Sequence, residues 1–348
     1  MELPIFLLGL TIVMVFLFDF TNGFHDAADM VATAIASNAM KSSVAIGIVT
    51  LFTFMGPLCV GLAVADTVGT FVNITQAPII HAQALVIAAL LSAITYNLVT
   101  WKFGLPSSSS NSLAGGLVGA GLLVVGSEQI NWGVDAFHQG HLEGVIKIVV
   151  GLFASPFLGF VIGFIMMKLI FKLFSRFTMH IRPLFIVSQY FSVAWLGFSH
   201  GANDAQKGMA IIGMMLLASG ETSSFSIPLW VILWCTTAIT LGTMFGGWSI
   251  IKTLGFELYR IRLIHSVANQ ISSALVNSLA TAIGAPTSTT QVVTATLLGN
   301  GAAQKPAHVG WGRAKHIVVG WFLNVPISMF LGALYAYIFI ALLGVFVS

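Results

Sequence analysis

Two short runs of hydroxyl side chains stand where an anion could be held. The first is Ser107, Ser108, Ser109 and Ser110, opened by Gly104, Leu105 and Pro106 and closed by the amide of Asn111. The second is Thr287, Ser288, Thr289 and Thr290, opened by Gly284, Ala285 and Pro286 and closed by Gln291. A proline followed by hydroxyls is a helix start: proline suits the first turn, and Ser or Thr side chains cap the free amides there. A helix start gathers unpaired N–H groups and the positive end of the dipole, and together these bind anions. Two such starts, 180 positions apart in one chain, suggest a single anion held between them.

The second set of groups is acidic. Residues 20–32 read FTNGFHDAADMVA and residues 198–210 read FSHGANDAQKGMA, an offset of 178. Asp26 and Asp204 coincide within otherwise apolar surroundings. A carboxylate there costs about 2.5–3.5 kcal/mol on insertion scales and faces a cavity or a partner. The functional reading is that each holds a coupling cation or takes a proton from the substrate; the bland reading is a helix cap or an ion pair. Lys207 follows Asp204 by three residues, so it can bridge to it on one helix face or offset substrate charge. Its counterpart Asp29 has the opposite sign, and a water-facing helix end accounts for it equally well. Asn22 and Asn203 are candidates to support the substrate or cation, and His25 and His200 to carry protons. For the hydroxyl runs the bland reading is capping and interhelical packing. Their duplication beside Gly-X-Pro, with Asn111 and Gln291 alongside, favours substrate contact. Neither Cys59 nor Cys235 implies a disulfide or a metal.

These groups must be positioned by membrane helices. Of 348 residues, 57% are hydrophobic and 7% charged, and mean hydropathy is +0.97. Soluble proteins carry about 25% charged residues, so the chain is expected to be an all-α, multi-pass membrane protein. A net charge of +3, spread between spans, gives no nucleic-acid surface. The first half reads as spans at 3–20, running into a polar knot at 21–29 and on to 36, then 44–65, 82–101, 107–125 and 145–174. The second half reads as 184–198 into a knot at 199–207, then 225–245, 264–282, 287–298 and 317–347. Gly115, Gly116 and Gly119 form a stripe that permits close helix contact.

Charge between spans predicts orientation. Lys168, Lys172, Arg176 and Arg182 mark a cytoplasmic mid-chain loop, as do Lys252, Arg260 and Arg262 and then Lys305, Arg313 and Lys315 further on. Segments 66–80, 126–143 and 220–224 carry acids and no Lys or Arg, and read as external. Each half then crosses an odd number of times. The expectation is two inverted-topology repeats, 1–174 and 183–348, joined by a cytoplasmic linker at 175–182. Their broken helices or re-entrant hairpins should meet near the bilayer midplane, a pattern of secondary transporters.

The four motifs, NGFHDAADMVAT, SHGANDAQKGM, GLPSSSSN and GAPTSTTQ, resemble the duplicated signatures of the PiT family of inorganic phosphate transporters, in particular its bacterial low-affinity branch. The resemblance spans about residues 17–298 and implies phosphate moved with sodium or protons through inverted repeats. It implies a site from Asp26, Asp204 and the two hydroxyl runs, with Asn22 and Asn203 in support. Departures are Ala27-Ala28-Asp29 where the family usually has Thr-Ala-Asn, and Asn111 and Gln291 where His is common. The expected setting is the plasma membrane of a bacterium or archaeon, with phosphate, a coupling cation and lipid as partners and no cofactor. Homodimerisation and transport of a metal–phosphate complex stay open. No nucleotide loop, metal-ligand cluster or hydrolytic constellation is present in the sequence, so an enzyme is not expected. The alternatives are a sulfate or other oxyanion permease, and an anion channel or sensor.

Overall fold

The computed structural model describes residues 2–103, 107–175, 181–246 and 261–347. Gly104, Leu105 and Pro106 of the first motif, and Arg176, Lys252 and Arg260 among the basic residues, lie outside the described residues. The described secondary structure is helical apart from one isolated bridge between Val72 and Ile130.

Helices α1 (Glu2–Ala36) and α8 (Arg182–Ala218) run 35 and 37 residues without interruption. At 1.5 Å per residue each is about 50 Å long, against ~30 Å of hydrocarbon. The polar knots therefore do not break their helices, contrary to the expectation from polarity. Polar side chains leave the i→i−4 ladder intact when neighbouring helices supply their partners, and neither knot contains a proline.

The break falls elsewhere. The stretch expected as one span at 44–65 is split into α2 (Ser42–Cys59) and α3 (Ala63–Thr70). The first amides of α3 are free of intrahelical partners, and Gln206 of α8 supplies one: its Oε1 accepts from Val64 N and Ala65 N, each at 3.0 Å. The Gln206 amide donates to Gly61 O at 2.9 Å. Irregular backbone at membrane depth is tolerated when protein satisfies it in this way.

Two helical hairpins carry the hydroxyl runs. One joins α4 (Ile79–Lys102) to α5 (Ser109–Val124); the other joins α10 (Leu263–Ala282) to α11 (Thr289–Gln304). Helices α5 and α11 have 16 residues each, about 24 Å, which suits a hairpin turning inside the membrane better than a full crossing. The remaining helices are the short α6 (Val134–His138), α7 (Gly144–Phe174), α9 (Leu229–Phe245) and α12 (Trp311–Val347). Among the described residues, five helices are long and apolar enough to span a bilayer.

Early and late helices pack in exchanged pairs. Helix α1 lies on α9 while α8 lies on α2, and α5 lies on α12 while α11 lies on α7. The closest approaches are exchanged too. A Cβ on Gly23 would stand 2.1 Å from Ile239 O, and one on Gly201, its counterpart in the repeat, 2.1 Å from Thr53 O. A Cβ on Gly119 would meet Met329 O at 2.0 Å, and one on the corresponding Gly299 would meet Phe160 O at 2.1 Å. The expected small-residue stripe at Gly115, Gly116 and Gly119 is thus a real helix contact.

The burial pattern is that of a membrane protein. Phe6, Leu17, Phe322 and Phe330 are more than half exposed on the outside, whereas Asp26, Asp29, Asp204 and Lys207 are buried. Apolar side chains therefore coat the molecule and charge is kept inside, the reverse of a soluble fold.

Candidate functional site

Helices α1 and α8 carry the charged side chains, and the turns ahead of α5 and α11 carry the hydroxyls. Hydroxyl caps form at both helix starts as their sequences predict, but Pro286 lies two residues ahead of the cap Ser288 and not in the first turn. Ser108 caps α5 by accepting from Asn111 N at 3.1 Å, and Ser288 caps α11 by accepting from Gln291 N at 3.4 Å. The two turns meet directly: Ser110 Oγ donates to Thr287 O at 2.6 Å. Thr287 N in turn donates to Asn203 Oδ1 at 3.0 Å, which ties the second turn to α8.

Ligating atoms of Asp26, His200 and Asp204 lie within 4.8 Å of one another, all three residues buried. His200 Nδ1 stands 3.2 Å from Asp204 Oδ2 and 3.7 Å from Asp26 Oδ2. Lys207 Nζ pairs with Asp204 Oδ1 and donates to Ser110 Oγ, and it reaches Thr287 O at 2.9 Å. Thr290 Oγ1 donates to Asp26 Oδ1 at 2.7 Å and also contacts Asp29. Asp29 therefore does not face water at a helix end. The knot lies mid-helix, so Asp29 is buried and shares a hydroxyl with Asp26.

The duplicated residues take matching places. Ser109 Oγ donates to Asn22 Oδ1 at 2.6 Å, and at the equivalent positions Thr289 Oγ1 lies 3.2 Å from His200 Nδ1. Lys207 meets Ser110, and at the equivalent positions Asp29 meets Thr290. The same architecture thus holds opposite charges at one pair of positions.

Not every candidate joins the cluster. Ser107 is held by Thr100 of α4, with the two hydroxyls 2.7 Å apart. His25 is buried but lies outside the Asp26–His200–Asp204 triangle. Asn111 Oδ1 accepts from Ser108 Oγ at 3.0 Å and its amide donates weakly to Trp321 O at 3.5 Å, which braces the start of α5 against α12. Both amide atoms of Gln291 are buried and without a partner among the described residues.

Three contributors were not singled out in the sequence. Asn277 of α10 donates to Thr289 Oγ1 at 3.3 Å and accepts from Thr287 Oγ1 at 3.4 Å. Its signal was present, because Asn97 stands at the equivalent place in α4 and accepts from Ser112 at 3.3 Å. Gln206 lies inside the second knot and serves α3. Asp19, one face-repeat before Asp26 on α1, is fully buried. Its oxygens find no hydrogen-bond partner among the described residues. The repeat gives no sign of it, since Gly197 occupies the equivalent position.

The void beside Lys207 and Ser110 measures about 10 Å³, room for about one water. A larger hollow of about 530 Å³ lies between α7 and α10, bordered by Lys147, Val150, Leu158 and Leu279, and none of Asp26, Asp29, Asp204 and Lys207 lines it. Hydrogen-bonding chemistry rather than volume marks the site: carboxylates, an ammonium, an imidazole and paired helix starts converge in a space that is closed in this conformation.

Fold and site together define a multi-pass helical membrane protein with a charged, hydroxyl-rich centre enclosed by two hairpins. The family described as "Phosphate transporter family" matches residues 22–187 and 176–332. The chain belongs to that family: it is a phosphate transporter of the cell membrane and not an enzyme. It is 39% identical over 330 residues to a "probable low-affinity inorganic phosphate transporter" of Rhizobium meliloti, covering 94% of this chain and 95% of that one. A protein of the same name from Bacillus subtilis is 37% identical over 340 residues, covering 96% and 97%. Among solved structures, "The sodium-dependent phosphate transporter" superposes with a TM-score of 0.84 at 24% identity, over 95% of this chain and 98% of that one. At that identity the likeness is one of fold.

Proposed function

We propose that the protein imports inorganic phosphate by symport with a sodium ion or a proton, through alternating access of two inverted repeats, 1–174 and 183–348. The observation that carries this reading is the meeting of the α5 and α11 starts at Ser110 and Thr287 beside Asp26 and Asp204. Two dipole-positive ends and a lysine favour an oxyanion, and the carboxylates that remain call for an accompanying cation. The exchanged helix pairs fit two copies of one unit turned over relative to each other, which one copy rocking against the other can open to either side.

The carboxylates also favour phosphate over sulfate. Phosphate near neutral pH keeps a proton and can donate to an aspartate, whereas sulfate cannot. A buried acceptor left without its donor costs about 1–3 kcal/mol. A channel would need a continuous polar stripe, and a closed centre does not supply one. The Asp26–His200–Asp204 triangle offers two oxygens and a nitrogen, a donor set that also fits a divalent ion travelling as its phosphate complex.

The test is labelled phosphate uptake into proteoliposomes under an imposed sodium or proton gradient. Uphill accumulation is expected, with little competition from sulfate, and Asp26→Asn or Asp204→Asn should abolish it while the protein stays in the membrane. Purely downhill flux would overturn symport. Wild-type accumulation in both variants would remove the carboxylates from the mechanism, and an added requirement for a divalent ion would point to the metal complex.

A further inference from the structure

Positions 29 and 207 are equivalent in the duplication, as are positions 110 and 290. Both pairs are in contact: Lys207 with Ser110, and Asp29 with Thr290. The side chains that occupy this one geometric place carry opposite charges, so the two halves differ in what they need from solution.

The surroundings of Lys207 Nζ are all oxygen: Asp204 Oδ1, Ser110 Oγ and the carbonyl of Thr287. A carboxylate, a hydroxyl and a backbone carbonyl are the hard oxygen ligands that a small metal cation takes. The lysine is 1% exposed, and a lone ammonium is costly at that depth unless it is paired. In the other half, Asp26 and Asp29 converge on the single hydroxyl of Thr290; the His200 imidazole stands 3.7 Å from Asp26, and among the described residues no ammonium or guanidinium is paired with either carboxylate. One half holds a neutralised carboxylate; the other holds two carboxylates sharing one hydroxyl.

We infer that Lys207 is a tethered cation, occupying in the Asp204 half the place that a mobile cation fills beside Asp26 and Asp29, so that each phosphate is accompanied by a single mobile cation bound on the Asp26 side. This deepens the symport reading and rests on it. It makes Lys207 a determinant of coupling rather than a group that moves with the substrate.

The test uses the full-length protein in proteoliposomes, with labelled phosphate, in sodium and choline media at matched proton gradients. Initial uptake by the wild-type protein is expected to be first order in the driving cation. A second-order dependence overturns the inference, whatever the variants do. Lys207→Ala is expected to lose about a hundredfold of uptake in sodium-free medium, the consequence of leaving a buried carboxylate without its partner. Sodium or methylammonium on the uptake side should restore most of that loss by filling the vacated oxygens. Lys207→Ala that is as active as wild type without either cation overturns the inference. So does a correctly inserted, thermally stable Lys207→Ala that neither cation rescues. Should Lys207→Ala fail to insert, Lys207→Met is assayed in the same way and read by the same outcomes. Binding of labelled sodium to the purified protein gives an independent readout, with one more ion per chain expected in the variant than in the wild type and equal binding counting against the inference. Absence of phosphate uptake by the wild-type protein would sink the functional reading itself and is recognisable as that.

Discussion

The Gln206 amide joins α8 to the start of α3, accepting from Val64 N and Ala65 N and donating to Gly61 O and Ala202 O. Removing it strands two buried amides, each costing about 1–3 kcal/mol. Gln206→Ala is therefore expected to unfold at a clearly lower temperature in detergent, with uptake falling in step with the amount of folded protein. An unchanged melting temperature would show that α3 is held by packing alone. The same side chain illustrates what the sequence could reveal at this scale. Asp26 and Asp204 were legible because duplication picks out residues that matter twice. Asn97 and Asn277 also recur, a signal easily passed over within helices that read as plain spans, and their hydrogen bonds to Ser112 and to Thr287 and Thr289 show their part. Asp19 and Gln206 have no polar counterpart at the equivalent positions, Gly197 and Ala28. Each answers a local demand of one half, and a signal based on symmetry is blind to it.

Helix contacts depend on glycine wherever two backbones touch. Gly23 and Gly201 meet carbonyls of α9 and α2 at distances no Cβ tolerates, whereas Gly9 and Gly47 have nothing within 4 Å of a built Cβ. In an open helix position Gly→Ala gains up to about 1 kcal/mol from propensity, but at a close crossing the overpacking costs about 1–3 kcal/mol. Gly9→Ala and Gly47→Ala are expected to be neutral or stabilising in thermal unfolding. Gly23→Ala and Gly201→Ala should both destabilise, by similar amounts because the two crossings are equivalent. A large difference between those two variants would mean that the crossings are not equivalent in energy. Hydropathy located most spans within a few residues, including α4, α7 and α10, because long apolar runs leave little freedom. It misplaced the breaks for a physical reason. The knots read as polar interruptions of their spans, but partners on neighbouring helices satisfy those side chains and the helices continue. The real interruption at 60–62 follows Pro57 and includes Gly61 inside an apolar stretch, where hydropathy gives no signal.

At the scale of the molecule, the exchanged pairing of α1 with α9 and α8 with α2 constrains how the chain can sit in a bilayer. If the repeats are inverted, loops that are equivalent in the duplication must face opposite sides. The turn between α1 and α2, with Lys41, then faces the cytoplasm, and its equivalent between α8 and α9, with Glu221, faces outward. Likewise the loop carrying Asp135 and His141 lies outside, and its equivalent carrying Lys305 lies inside. The charges agree, since Lys and Arg are retained on the cytoplasmic side and acids weigh little. All four positions, Lys41, His141, Glu221 and Lys305, are exposed and can take a probe without touching the core. Cys59 is exposed and is removed as Cys59→Ser; Cys235 is buried and can remain. In that background a membrane-impermeant maleimide added to intact cells should label His141→Cys and Glu221→Cys, and should reach Lys41→Cys and Lys305→Cys only after permeabilisation. If both members of either pair were labelled from the same side, the halves would be parallel. The two helix starts could then no longer approach a shared anion from opposite membrane faces, and alternating access by rocking one copy against the other would lose its basis.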